Sequence, residues 1–157
     1  MNGFVWNLLL ALAWAAVTGN FTPRNFALGF VLGMLILLFT GRILGAATYL
    51  GRLLKIVRLI VFFIRELIIS NLRIAYEVLT PSYNMRPGVV AVPLDVRSDA
   101  EITLLANLIS LTPGTLSLDV SSDRRTLYIH AMYVDDPDEV RREIKNGFER
   151  RIREVFA

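Results

Sequence analysis

The stretch RLLKIVRLIVFFIRELIISNLRIAYEVLT, residues 52–80, decides how the rest of the chain is read. Wound as a helix at about 100° per residue, Arg52, Lys55, Arg58, Arg65, Glu66, Ser70, Arg73 and Glu77 all fall within an arc of about 140°. Leu, Ile, Val and Phe make up most of the remaining surface, with Asn71 the clear polar exception. The pattern predicts one long basic amphipathic helix. Leu59, Phe62 and Ile69 nevertheless lie inside the charged arc, where a helix facing only water would not carry them, so other protein is expected to cover part of that face.

The helix joins two halves of opposite character. Residues 1–80 hold seven Lys or Arg against two acids (Glu66 and Glu77), whereas residues 81–157 hold ten basic and twelve acidic residues. The excess positive charge therefore belongs to the apolar half, where the cytoplasmic flanks of membrane segments collect it, and argues for membrane orientation rather than nucleic-acid binding. With no cysteine in the chain, disulfides and thiolate metal sites are excluded.

On the N-terminal side, residues 1–23 carry no charge, and residues 25–41 form a second uncharged run. A span needs roughly 20 apolar residues, with about 17 as a lower limit, so residues 1–45 are read as a transmembrane hairpin. Asn20 to Asn25 form the turn, because Asn and Thr compete for backbone hydrogen bonds and Pro23 disfavours helix at the residue before it. Gly29 and Gly33, four apart, offer a face on which another helix backbone can approach closely. Trp6 and Trp14 suit an interface. The first connection offers only Arg24, while Arg42, Arg52, Lys55 and Arg58 follow the second run, so that end, and the N-terminus with it, is predicted to be cytoplasmic.

Residues 46–80 then either cross again or lie along the membrane. Crossing would bury Arg65, at about 2.5–3.5 kcal/mol on the insertion scale, with Glu66 beside it. An interfacial helix avoids that cost. The expected fold class is thus two membrane spans plus an amphipathic interfacial helix, with a third span as the alternative, followed by a small α+β domain. Arg65 and Glu66 are retained as the candidate ion pair at membrane depth.

Residues 81–88 form a linker rich in helix breakers. The domain over 89–157 reads as β-α-β-β-α. Residues 89–96 are a strand in which Pro93 favours an edge, and Ser98 with Glu101 forms a capping box for a helix through Leu111. Residues 115–120 and 125–134 pair as a hairpin, and Asp136-Pro137 opens the last helix, with Val140, Ile144, Phe148, Ile152 and Val155 as its apolar stripe. The crossover predicts that the first two strands run parallel. His130 lacks partners at ligand or catalytic spacing and is read as structural. No phosphate loop, nucleophile elbow or metalloprotease motif occurs, so the residues offer no enzyme chemistry, cofactor site or metal site.

Taken together, Ile64-Arg65-Glu66, Ser70-Asn71, Val78-Leu79-Thr80-Pro81, Leu111-Thr112-Pro113-Gly114-Thr115-Leu116, Asp119-Val120 and Leu127-Tyr128-Ile129-His130, in that order after two close hydrophobic segments, resemble the E subunit of the multisubunit Mrp-type sodium/proton antiporters. The resemblance covers nearly the whole chain, with the Thr-Pro-Gly-Thr turn its most specific part. It implies an accessory subunit of a monovalent cation/proton antiporter in a prokaryotic cytoplasmic membrane. Its partners would be other hydrophobic subunits and lipid, and no catalytic residue is implied. Thr112, Pro113 and Gly114 would be a structural turn, with Gly114 permitting a positive φ, and Leu59, Phe62 and Ile69 become candidate contacts to neighbouring subunits. A stand-alone membrane-anchored module, binding a ligand or protein through its α+β domain, is the rival reading.

Overall fold

The computed structural model describes residues 3–44, 46–80 and 85–157, with the side chains of 38–50 outside the description. By packing, the chain divides at Leu54/Lys55. The expected linker at 81–88 lies partly outside the described residues, at 81–84, as does the hairpin boundary at 45.

In the first unit, α1 (Gly3–Thr18) and α2 (Pro23–Leu44) form a helical hairpin. Gly19 turns the chain at φ +63°, a conformation that costs glycine little. Asn25 then ties the turn together: its amide donates to Thr18 Oγ1 at 2.7 Å and to the Asn20 carbonyl at 2.6 Å, and its oxygen accepts from the Trp14 indole at 3.0 Å. The helix expected to begin at Asn25 begins at Pro23, because Thr22 caps it by accepting from Asn25 N at 3.4 Å and proline is suited to the first helical position. Gly29 and Gly33 meet α1 closely. A Cβ on Gly29 would lie 2.9 Å from Trp14 Cβ, and one on Gly33 would lie 2.5 Å from Asn7 Oδ1. Among the described residues no helix is long and apolar enough to cross a membrane; α1, with 16 residues, spans about 24 Å at 1.5 Å per residue.

The second unit begins inside α3 (Ala46–Leu79) and continues through β1 (Gly88–Pro93), α4 (Asp99–Leu111), β2 (Thr115–Val120), β3 (Thr126–Ala131), α5 (Pro137–Ile144), a π-helical turn (Lys145–Glu149) and α6 (Arg150–Phe156). The sheet is antiparallel throughout, in the order β1-β3-β2. β1 and β2 do run in the same direction, but β3 is inserted between them. The central place suits β3, whose Leu127, Ile129 and Ala131 are buried, while Pro93, lacking an N–H, ends an edge strand.

Both predicted caps form. The Ser98 hydroxyl accepts from Glu101 N at 3.3 Å while Glu101 Oε2 accepts from Ser98 N at 3.0 Å, and Asp136 Oδ1 accepts from Asp138 N at 2.9 Å with Pro137 behind it. The helices cover one face of the sheet with Ile102, Leu105, Ile109, Ile144, Phe148 and Ile152, and Leu59 of α3 joins the same core. The last helix departs from a regular 3.6-residue stripe. Its π turn inserts one residue, so that Gly147, Phe148 and Glu149 are buried in succession.

The hairpin contact can be tested directly. Gly33→Ile should cost about 1–3 kcal/mol through overpacking against Asn7 and Leu10, seen as a lowered thermal midpoint of the purified chain. Gly51→Ala, whose new Cβ would meet nothing within 4 Å, should leave the midpoint level or raised.

Candidate functional site

Of the candidate ion pair, structural turn and subunit contacts named from sequence, all but Leu59 line one cleft of about 510 Å³ in the second unit: Phe62, Arg65, Glu66, Ile69, Thr112, Pro113 and Gly114. Leu59 lies beneath it, 7% exposed in the core. Within this chain, the protein that meets the charged arc of α3 at Leu59 and Phe62 is its own C-terminal domain. Ile69 differs, being 38% exposed at the cleft.

Phe62 is the centre of that contact. Its ring meets Phe148 edge-on at 5.1 Å and 75°, and the Arg151 guanidinium sits 3.7 Å over its centroid. A Cβ at Gly147 would come within 3.3 Å of Phe62 Cζ, so glycine is what lets the ring approach the π turn. Arg151 is held in place by donating from Nη1 to the Gly147 and Asn146 carbonyls at 2.8 and 3.1 Å. Burial, with repulsion from Arg150, pushes its guanidinium below the usual value.

The Arg65–Glu66 pair forms at 2.6 Å, with 65% of the Arg65 side chain exposed. An exposed pair of this kind contributes roughly 0–1 kcal/mol. It stands next to the domain, close enough for Arg151 to feel both charges.

The turn after α4 is locked by hydroxyls. Thr112 Oγ1 donates to the Leu108 carbonyl at 2.9 Å, and Thr115 Oγ1 donates to the Ile109 and Thr112 carbonyls at 2.6 and 2.9 Å. These bonds use carbonyls that the helix end leaves without intrahelical donors. Gly114 sits at φ +89°, where a Cβ would make only ordinary contacts, so the backbone conformation and not space demands glycine there.

Three features of the site escaped the sequence pattern. Arg73 lies over the Tyr133 ring at 5.4 Å, and Arg151 stacks on Phe62. The third is Glu149, whose side chain is only 1% exposed. Its Oε1 accepts from Asp95 N at 2.6 Å and Val96 N at 3.1 Å, ending β1, and Lys145 stands 3.5 Å from Oε2. A glycine inside a predicted helix, Gly147, was the available signal for the irregular turn. His130 sits half-buried on the outer sheet face between Val89 and Leu116, and among the described residues no group of three His, Cys, Asp or Glu could hold a metal ion.

Comparison with known proteins gives a consistent result. A family model described as Na+/H+ ion antiporter subunit matches residues 7–155. The Na(+)/H(+) antiporter E subunit of Alkalihalophilus pseudofirmus is 43% identical over 149 residues, covering 95% of this chain and 94% of the relative. That of Bacillus subtilis is 41% identical with the same coverage. Among solved structures, a chain of the membrane-bound sulfane sulfur reductase, an archaeal respiratory membrane complex, superposes with TM-score 0.60 at 29% identity, covering 98% of both chains. A chain of the Mrp complex from Dietzia sp. DQ12-45-1b matches 64% of this chain and 94% of its own length at 28% identity and TM-score 0.48.

Two substitutions weigh the site's contacts. Glu149→Ala leaves two backbone N–H groups without their acceptor and should lower stability by about 1–3 kcal/mol. Phe62→Ala should cost on the order of 2 kcal/mol, below the fully buried range because the ring is half-buried. Both are read from denaturant unfolding of the detergent-solubilised chain. Asp95, whose carboxyl is held below the usual value first by the Lys145 hydrogen bond, contributes stability present above its unfolded pKa and lost as pH falls through the folded one, so Asp95→Asn should flatten the acid limb of the same measurement.

Proposed function

The chain belongs to the family of Na+/H+ antiporter E subunits, and on that premise we propose that it is an accessory subunit of a multisubunit monovalent cation/proton antiporter, bracing the assembly in a prokaryotic cytoplasmic membrane without carrying the ion path. The observation that carries this reading is the packing of α3. Its Leu59, Phe62 and Phe63 pack into the C-terminal domain, and Arg73 and Ile74 meet Tyr133 and Gly114 further along, while the opposite face leaves Val57, Val61, Ile64, Ile68 and Leu72 exposed. A helix that meets a polar domain at points from Leu59 to Ile74, about 22 Å apart, has little length there to spare for hydrocarbon, which supports an interfacial helix over a third span. The exposed stripe is the face such a helix would lay among acyl chains.

Charge supports the accessory role. No acidic residue precedes Glu66, so the proposed membrane hairpin has no carboxylate to relay a proton or bind a cation, the groups that usually mark ion paths at membrane depth. Two helices also cannot enclose a pathway unaided. The proposed topology places the N-terminus and the domain on the cytoplasmic side, as the basic residues after the hairpin support.

Deleting the gene should dissociate or deplete the complex and abolish antiport in membrane vesicles, while Arg65→Gln and Glu66→Gln should leave antiport within about twofold, as expected of an exposed ion pair. Antiport intact without the chain would favour the stand-alone module instead. On the cysteine-free background, Ser122→Cys should react with a membrane-impermeant reagent only in inverted vesicles; labelling in intact cells would mean that α3 spans.

A further inference from the structure

We propose that the cleft along α3 is a docking site for a segment of a neighbouring subunit, extended in conformation, apolar along its middle and carrying carboxylates toward its ends. The inference rests on the reading of this chain as a subunit of a complex. At one end of the cleft Arg151 lies over Phe62, and toward the other Arg73 lies over Tyr133. Neither guanidinium makes an ion pair among the described residues. The Tyr133 ring forms the floor beneath Arg73. Between the two ends Ile69 and Ile144 give the lining an apolar strip, beside Ser70 and the paired Arg65 and Glu66.

The dimensions and charges select the occupant. From Phe62 to Arg73 the helix advances about 16 Å, the length of roughly five residues of extended chain. The lining carries Arg65, Arg73 and Arg151 against Glu66 and Glu143, with Glu66 already paired to Arg65, and Glu154 acts on Arg151 from outside the lining. A two-tailed anionic lipid needs its charges at one end and an open apolar exit at the other, which cations at both ends deny it. A peptide with carboxylates on either side of an apolar run meets both guanidiniums and the floor together, by charge-assisted hydrogen bonds at the ends.

The test uses the intact complex. A photoreactive phenylalanine analogue is placed at Ile69, and separately at exposed Asn146, and the adduct is located by mass spectrometry after irradiation and digestion. The expected adduct is a peptide of another subunit with an Asp or Glu within about three residues of the attachment point, and Arg73→Gln should reduce its yield by about tenfold, the effect of losing one charged hydrogen bond. Tyr133→Phe, which keeps the ring beneath Arg73, should reduce it less. Adducts confined to lipid or to this chain itself, or a yield unchanged in Arg73→Gln, would overturn the docking site while leaving the accessory role standing. Loss of the chain from the purified complex would overturn both.

Discussion

The second unit depends on the insertion of one ring, Phe62, between Phe148 and Arg151 over the bare backbone of Gly147. Three features of the last helix accompany it. The π turn at Lys145–Glu149 adds one residue to the last helix, and that residue is what brings Gly147 beneath the ring. The same shift turns Glu149 inward, where a carboxylate would be costly without partners; the N–H groups of Asp95 and Val96 and the Lys145 ammonium provide them. Arg151, one helical turn on from Gly147, then closes over the ring's other face. A side chain on α3 thus packs where the last helix carries its π turn, and the buried carboxylate of that turn holds the chain just after β1.

A three-stranded sheet has two edges out of three strands, and each is blunted by a different device. On β1, Pro93 withholds a donor, and Arg141 Nε donates to the Ala91 carbonyl at 2.8 Å. On β2, the Ser110 hydroxyl accepts from Ser117 N at 3.1 Å, Ser117 Oγ donates to the Ala106 carbonyl at 3.0 Å, and a bulge between Ser117 and Asp119 breaks the regular edge. The edges are therefore poor templates for another strand, which leaves faces rather than edges as the surfaces through which the unit can meet a partner.

Much of this was legible from local chemistry. Ser98 with Glu101 and Asp136 with Pro137 cap helices where capping rules place them, Pro93 marks an edge, and Gly29 and Gly33 mark the face that α1 approaches. Each signal is carried by a residue whose own backbone or side chain acts within a few positions. What was not legible depends on partners distant in the chain. A stripe at spacings of four and three through Val140, Ile144, Phe148 and Ile152 reads as regular helix and hides the inserted residue. Leu59 and Phe62 announce that protein covers the charged arc, but nothing at residues 52–80 says that the cover lies some ninety residues further along. Trp14 reads as an interface ring, yet its indole is spent on Asn25 in the turn.

The two faces of α3 explain why a chain of this size divides inside a helix and not at a loop. A domain of about seventy residues buries too little apolar surface to be secure alone, and here it gains Leu59, Phe62 and Phe63 by closing on the helix that precedes it. Because Leu59 and Phe62 sit within the charged arc and Phe63 at its edge, the domain meets the side of α3 that a membrane would reject. The side left over is apolar but for Asn71, and in water alone such a stripe would be a liability. Burial of one face by the domain and of the other by lipid or neighbouring protein satisfies both constraints at once, and it stiffens the helix along the length to which the domain is fixed. On the proposed interfacial placement, α3 would serve both membrane and domain, and two such faces are what that double duty requires.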